Sequence, residues 1–550
     1  MGISAARSAL EMGQSAIALA FSQLKKETLV EGRVSSRKLD EHQLVCFELA
    51  AMASELTGAR FALDYADRAE AELKTEGSEL ERRYALLFSA EALHNVRGRL
   101  SLRLADLGLA DNALAETLES AEVRSFCATQ LQASQYTDTG KLLLENRGSS
   151  GAGLIDERHE MMRTTFRQFA NEVVMPLAEH IHREDLLIPD EILGALTEMG
   201  CFGLSIPEEY DGLHEDNMGM IIVTEELSRG SLCAAGSLIT RPEILARALL
   251  KGGTEEQKQE WLPKLAAGDP LCAVAVTEPN YGSDVAGMQF KATKTEGGWL
   301  LDGAKSWCTF AGKAGVLMVL ARTNPDPAAG HKGLSLFLAE KPPFDGHDFE
   351  HKQEGGGALS GRAIPTIGYR GMHSYDCFFD NYFVPDSALL GGPEGDGKGF
   401  YFTMAGFAGG RIQTAARALG VMQAAFEEAV KYAGERKVFG RPIGEYQLTL
   451  TKLARMGMAL CACRQFAYGV GRSMDEGGGD VEASMVKLFA SRTAEWVTRE
   501  AQQIHGGMGY AEETAVSRYF LDARVLSIFE GAEEILALKV IAKALVDRAE

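Results

Sequence analysis

The string Ser527-Ile528-Phe529-Glu530-Gly531-Ala532-Glu533-Glu534-Ile535 sets a carboxylate directly before a glycine. Glutamate is a base of modest strength whose pKa rises when water is withdrawn from it, so one fixed carboxylate can take a proton from carbon. The glycine lets a ligand come close to the backbone beside that base. The same string also suits an ordinary helix start, where acidic residues meet the helix dipole. Further upstream, Val274-Ala275-Val276-Thr277-Glu278-Pro279-Asn280-Tyr281-Gly282-Ser283-Asp284-Val285 leaves a strand-like run and enters a tight polar loop. The hydroxyls of Thr277 and Ser283, and exposed N–H groups around Gly282, suit a flavin ring and a pyrophosphate. A β-turn with Asx and Ser caps is the plainer reading. In Lys305-Ser306-Trp307-Cys308-Thr309, Trp307 and Thr309 stand two apart on an expected strand and are therefore expected on one face. An aromatic plane beside a hydroxyl is a seat for an isoalloxazine ring, or simply core packing.

Two further segments carry ligand chemistry. Glu435-Arg436-Lys437-Val438-Phe439-Gly440-Arg441-Pro442 breaks a helix with charge and a Gly-Arg-Pro stop, and Arg436 could hold a phosphate. Gln503-Ile504-His505-Gly506-Gly507-Met508-Gly509 is a glycine-rich helix exit where exposed backbone can meet a ligand. No strand–GxGxxG–helix unit stands out, which disfavours a nicotinamide-binding Rossmann domain.

These segments must be positioned by a chain of 550 residues, long enough for three or four domains. A net charge of −21 argues against nucleic acid and against an anionic membrane surface as partners. The nine cysteines are scattered and include no C-x-x-C pair, which suits a reducing compartment with neither a disulfide framework nor a metal site. With no apolar run of membrane-spanning length and no secretory signal pattern, a cytoplasmic location is expected.

Residues 4–145 have helical periodicity and no proline, and Arg147–Gly153 is the clearest linker. A second helical region follows, with a Thr254-Glu255-Glu256 start signal. Short apolar runs broken by Gly, Asp and Pro then predict a β domain, within which 350–366 is expected to be a polar surface insertion around Gly355-Gly356-Gly357. From Gly399 the pattern is helical again. The expected domains are 1–146, 154–270, 271–395 and 396–550. An internal repeat links the first to the last: Glu445, Gln447, Leu453, Met456 and Arg464 echo Glu41, Gln43, Leu49, Met52 and Arg60 at a constant offset, 445 − 41 = 404. The first domain is accordingly expected to be a degenerate copy of the C-terminal bundle.

Residues 155–550 resemble the acyl-CoA dehydrogenase family. The resemblance rests on Thr277-Glu278-Pro279…Gly282-Ser283-Asp284, Gly303…Lys305…Trp307-x-Thr309, Tyr369-Arg370-Gly371…Phe379-Asp380-Asn381, Arg436…Phe439-Gly440…Gln447, Gln503-x-x-Gly506-Gly507 and Phe529-Glu530-Gly531. It implies an α+β multidomain fold: an α-helical domain, a β-barrel-like middle domain and a C-terminal four-helix bundle, here preceded by a helical extension. It implies FAD as cofactor and an electron-transferring flavoprotein as electron acceptor in a homodimer, with oxygen as acceptor left open. Glu530 would be the base. Val276, Thr277, Gly282, Ser283, Trp307 and Thr309 would line the flavin, and Arg436, Phe439, Gln447, Gln503, Gly506 and Gly507 would reach its adenosine and pyrophosphate end. Ser283, Arg411 and Gly531 would meet the acyl-CoA. Some family members place the base just before Arg411, where this chain has Gly410, so Glu530 has no visible rival. In the extension, the repeat offset sets Gly32 and Ser35 where the bundle has Arg436 and Phe439, so that copy is expected to bind no flavin. The extension together with the 350–366 insertion resembles the plan of a member acting on a branched C4-dicarboxylic thioester. A free carboxylate needs a cation to offset its desolvation; Arg241 is the expected partner, with Arg370, His373 and Tyr375 as further candidates.

Overall fold

The computed structural model describes residues 2–146, 148, 150–151 and 153–550, the side chains of 74–76 excepted. The chain forms two compact units, 162–413 and the combination of 1–161 with 414–550.

In the 162–413 unit, Asn217–Gly230, Thr240–Gly252 and Glu255–Ala266 are helices followed by an eight-stranded sheet. Thr254 caps the last helix in a reciprocal box with Gln257, so the start signal in the sequence is used as such. Strand order in the sheet is Cys272–Ala275, Val316–Arg322, Lys291–Thr295, Gly298–Thr309, Ser374–Pro385, Ala358–Ala363 and Asp348–Lys352, with Leu334–Glu340 paired to Val316–Arg322. Val316–Arg322 is buried at every position. Strand alternation explains this: Leu317, Val319 and Ala321 enter one core with Phe337 and Tyr375, whereas Val316, Met318 and Leu320 enter another with Leu245, Leu249 and Trp261 of the helices.

The expected insertion at 350–366 is mostly a β-hairpin. Asp348–Lys352 pairs antiparallel with Ala358–Ala363 around a turn closed by Gln353 N–H to Gly357 O at 2.8 Å. Phe349 and Leu359 turn inward and hold it on the sheet.

The other unit is helical. The extension supplies Ile3–Thr28, Gln43–Gly77, Glu79–Ser101 and Ala133–Glu145; the C-terminal part supplies Gln447–Asp475, Asp480–His505 and the later turns of Gly399–Glu435. Glycines notch these helices where partners cross. A Cβ on Gly469 would stand 2.1 Å from the Phe61 ring, and one on Gly140 would stand 2.5 Å from Leu450 O. Phe61 stacks on Phe466 with centroids 5.2 Å apart. Three details differ from the sequence reading. Residues 102–120 form turns and one short 3-10 segment, not helix. The expected linker is pinned down where it is described: Arg464 donates to Ser150 Oγ at 3.1 Å, Gln465 donates to Gly151 O at 2.7 Å, and Gly151 packs on Cys461. Arg147, Ser149 and Ala152 lie outside the described residues.

The third difference concerns the repeat. Both halves run long helix, two-residue hairpin, short helical turn, long helix, long helix. Both hairpins turn through two residues of positive φ, Glu31 (50°) with Gly32 (79°) and Phe439 (48°) with Gly440 (85°), the geometry that matches strand twist. The hairpins are therefore offset by 439 − 31 = 408, whereas the helices that follow start at Gln43 and Gln447, an offset of 404. Eight residues, 35–42, separate the hairpin from the long helix in the extension, where the C-terminal half has four, 443–446, and this difference of four accounts for the change. The counterparts of Arg436 and Phe439 are thus Thr28 and Glu31, not Gly32 and Ser35; neither carries the guanidinium or the ring.

Replacing Gly140 with valine pushes the helix Ala133–Glu145 off Leu450. We expect a loss of about 1–3 kcal/mol, seen as a lower midpoint in thermal unfolding and faster proteolysis near residue 145.

Candidate functional site

The residues expected at the site fall in both units, and each unit is described by itself. In the helical one, Glu530 and Gly531 form a turn with positive φ at both positions, 53° and 98°. A glutamate in this region stores backbone strain, which surrounding contacts must hold. Those contacts are visible. Thr414 Oγ1 donates to Glu530 Oε2 at 2.8 Å, and Arg417 donates to the same oxygen at 2.6 Å. Arg417 also donates to Thr414 Oγ1 at 2.8 Å, closing a ring of hydrogen bonds, and its guanidinium lies 4.7 Å over the Phe529 ring. The Glu530 side chain is 10% exposed and that of Arg417 0%. The buried Lys487 donates to Gly531 O at 2.6 Å, pinning the turn from the other side. Sequence reasoning expected a carboxylate set apart in a dry place. It missed the buried cation, although an arginine amid Ala415, Ala416, Ala418 and Leu419 was a visible signal.

Phe439 sits at the tip of its hairpin and is 96% exposed; Arg436, Gln447, Gln503, Gly506 and Gly507 are exposed as well. Tyr432, near the end of the helix leading to that hairpin, stacks on His505 at 4.3 Å, which brings the Gln503–Gly507 turn beside it. A fully solvated phenylalanine ring contributes nothing to this unit's core.

In the 162–413 unit, the loop after Cys272–Ala275 is closed by Glu278. Its backbone exchanges two hydrogen bonds with Tyr281, and its carboxylate accepts from the Gln289 and Phe290 N–H groups at 2.9 and 2.8 Å. The fully buried Lys305 reaches the same carboxylate at 3.2 Å and Val276 O at 2.9 Å. The loop tip with Gly282 and Ser283 is left exposed. Ser306 N–H donates to Thr277 O at 2.9 Å, so Thr277 and the Trp307 segment are joined by one backbone bond.

Trp307 and Thr309 are separated by a bulge and differ in exposure. Opposite Asp376 the strand bulges, the register shifting between Tyr375 and Cys377, and Trp307 takes φ 58°. A bulge breaks alternation: Lys305 and Ser306 are both buried, Trp307 is 57% exposed, and Cys308 and Thr309 are buried again. Ser306 donates to Asp376 at 2.6 Å and Thr309 bonds Ser374 at 2.9 Å, fixing the bulge on either side of the exposed indole.

The expected carboxylate ligands have other partners within this unit. Arg241 is buried and donates to Tyr369 OH at 3.3 Å. Arg370 donates to Thr366 O and His182 O; His373 meets His347 at 2.9 Å and Asp185 at 3.2 Å; Tyr375 donates to Gly346 O. Burial lowers the His373 pKa, only partly opposed by Asp185. Arg411 is half-buried.

The chain combines a helical domain, a sheet domain carrying an exposed indole beside a polar loop, and a helical bundle carrying a clamped glutamate. Residues 156–269, 273–382 and 397–546 match, in turn, the acyl-CoA dehydrogenase N-terminal, middle and C-terminal domains. The chain belongs to the acyl-CoA dehydrogenase family and is an enzyme acting on acyl-CoA. It is 41% identical over 539 residues, 96% of this chain and 95% of the other, to (2S)-methylsuccinyl-CoA dehydrogenase of Cereibacter sphaeroides. It is 35% identical to the mitochondrial 2-methylacyl-CoA dehydrogenase of Solanum tuberosum, over 77% of this chain and 96% of that one. Among solved structures, butyryl-CoA dehydrogenase of Megasphaera elsdenii aligns with a TM-score of 0.65 at 30% identity, covering 72% of this chain and 99% of its own. No helix among the described residues is long and apolar enough to cross a membrane.

Lys305 offers a test of the loop closure. Burial lowers its pKa to about 8 from 10.5, with Glu278 opposing. Between these values the unfolded chain binds more protons than the native one, so this group's contribution to stability rises with pH. Below about 8 the full cost of burying the charge is present. The difference in unfolding free energy, wild type minus Lys305→Met, should therefore move toward wild type by about 1–3 kcal/mol between pH 8 and 10, measured by urea titration.

Proposed function

We propose that this enzyme is an FAD-dependent dehydrogenase that converts (2S)-methylsuccinyl-CoA to mesaconyl-CoA. The observation that carries the reading is the clamped Glu530 in a chain matched from end to end by a relative of that name. The match includes the extension, since relatives aligning over about 70% of the chain leave a segment of that size uncovered.

The residues present fit FAD. The exposed indole of Trp307 offers a plane for the ring, with Thr277 joined to its segment and Thr309 fixed in the strand beside it. Val276, Gly282 and Ser283 belong to the loop that Glu278 and Lys305 hold shut. The exposed Phe439, Arg436 and Gln447, with the Gln503, Gly506 and Gly507 turn, suit the adenosine and pyrophosphate end. When bound, FAD supplies the two-electron acceptor for the β-hydride.

Glu530 removes the α-proton. A thioester α-hydrogen is a weak acid toward carboxylate, so the developing enolate needs donors; a backbone N–H beside Glu530 and Gly531 would provide one, worth about 3–4 kcal/mol. Thr414 and Arg417 keep the carboxylate in one orientation, so reorganisation does not add to the barrier. Arg411 and Ser283 are assigned to the acyl-CoA, and an electron-transferring flavoprotein to reoxidation.

Methylsuccinyl-CoA added to the purified yellow enzyme should bleach the flavin band within the mixing time. Glu530→Gln should keep its flavin and lose bleaching rate by about 10²–10⁴-fold. A colourless protein, or a flavin band indifferent to the thioester, would overturn the reading.

We also propose a homodimer, because the extension covers the Gln447–Asp475 helix with its own helices. Light scattering should give about twice 59.5 kDa; a mass of four chains with residues 1–146 intact would contradict it.

A further inference from the structure

We propose that Asp185, His347 and His373 bind one divalent transition-metal ion of the zinc class, which ties the connection between two helices to the sheet of the 162–413 unit. The proposal is independent of the substrate reading and gives the ion no part in the dehydrogenation.

The three residues come from distant stretches of one unit. Asp185 lies between the helices Met175–Arg183 and Asp190–Glu198, His347 just before the strand Asp348–Lys352, and His373 just before Ser374–Pro385. Their donor atoms converge. The Nε2 atoms of His347 and His373 stand 2.9 Å apart, His373 Nε2 is 3.2 Å from Asp185 Oδ1, and His347 Nε2 is 3.7 Å from Asp185 Oδ2. Ligands bound tetrahedrally to zinc at about 2.0–2.1 Å stand about 3.3 Å from one another. The observed spacings fall on either side of that edge, so an ion is accepted with shifts of about half an ångström or less.

Hydrogen bonding alone leaves a conflict in the cluster. A neutral imidazole carries one N–H. His347 Nε2 also lies 3.1 Å from Asp185 O. If both rings carry the proton on Nε2, two donors face each other at 2.9 Å. If only one does, the bare nitrogen of the other points its lone pair at an oxygen of Asp185, at 3.1 or 3.2 Å. His373 Nδ1 is buried and meets no partner among the described residues, so it favours neither tautomer. A cation that accepts both lone pairs and the carboxylate removes the conflict. Arg370, with Nε 3.5 Å from Asp185 Oδ1 and further bonds to Thr366 O and His182 O, steadies that carboxylate from behind. Its charge opposes that of an ion and limits the affinity. Two imidazoles select zinc, cobalt or nickel over magnesium or calcium. The side chains of His347 and Asp185 are 50% and 36% exposed, so an ion reaches them from solvent and keeps a water as a further ligand.

The test uses the full-length FAD enzyme, stripped with EDTA, with zinc alone as the probe. Isothermal titration should find one zinc per chain in wild type, and zinc should raise the thermal midpoint. His347→Ala, at a half-exposed position, should keep its flavin, bind zinc about 10²-fold or more weakly, and lose the rise in midpoint. Asp185→Asn should weaken zinc binding too, at unchanged side-chain volume. His94→Ala, which removes an exposed histidine of the helical unit, should bind zinc as wild type does. Wild type that takes up no stoichiometric zinc would overturn the proposal. So would undiminished binding in His347→Ala, or an equal loss in His94→Ala. If His347→Ala fails to retain flavin, Asp185→Asn decides: weakened zinc binding supports the assignment and wild-type affinity overturns it.

Discussion

Glu530 Oε2 receives both the Arg417 guanidinium and the Thr414 hydroxyl, and the proposed chemistry depends on this small ring of hydrogen bonds. A carboxylate on a turn of positive φ has an unfavourable backbone, and without partners it would find a more comfortable one. The two donors, with Lys487 on Gly531 O, make the unfavourable turn the one that satisfies most polar groups. Position and charge are set together.

A similar economy operates in the sheet domain. Lys305 and Glu278 are costly to bury, and burial lowers the lysine pKa, yet the pair closes a loop whose tip must stay open for a ligand. The carboxylate bonds two backbone N–H groups and the ammonium bonds a backbone carbonyl. The pair thereby satisfies main-chain groups that a loop would otherwise leave unpaired indoors. The adjacent bulge puts Trp307 outside while the strand continues on both sides of it. Ordered exposure of a large aromatic ring thus comes from a packed scaffold beneath it.

The extension and the C-terminal half share an element order and a hairpin turn but not the exposed ring. The extension's hairpin retains the left-handed turn of the C-terminal hairpin, Glu31-Gly32 against Phe439-Gly440, yet lacks the exposed aromatic ring. Its long helices remain complementary to the bundle, through glycine notches at Gly457 and Gly469 that receive Tyr84 and Phe61. Packing complementarity depends on shape over many residues, whereas a ligand contact depends on one or two side chains.

Much was legible in the residues alone. Periodicity separated helices from strands, the Thr254 capping pattern marked a helix start, and the strings around Thr277, Trp307, Phe439 and Glu530 carried the family resemblance, because local backbone preference and ligand chemistry leave short, ordered signatures. The repeat pattern was visible, but its register at the hairpin was not: an eight-residue connection in place of a four-residue one leaves no mark in a fixed-offset comparison. The bulge at Trp307 was not legible because a bulge is set by how a strand pairs, which alternation within that strand cannot reveal. Arg417 was overlooked for the same kind of reason. It stands 113 positions from Glu530 in the chain, and only the packing of one helix against a distant turn makes an arginine among alanines into the partner of a base.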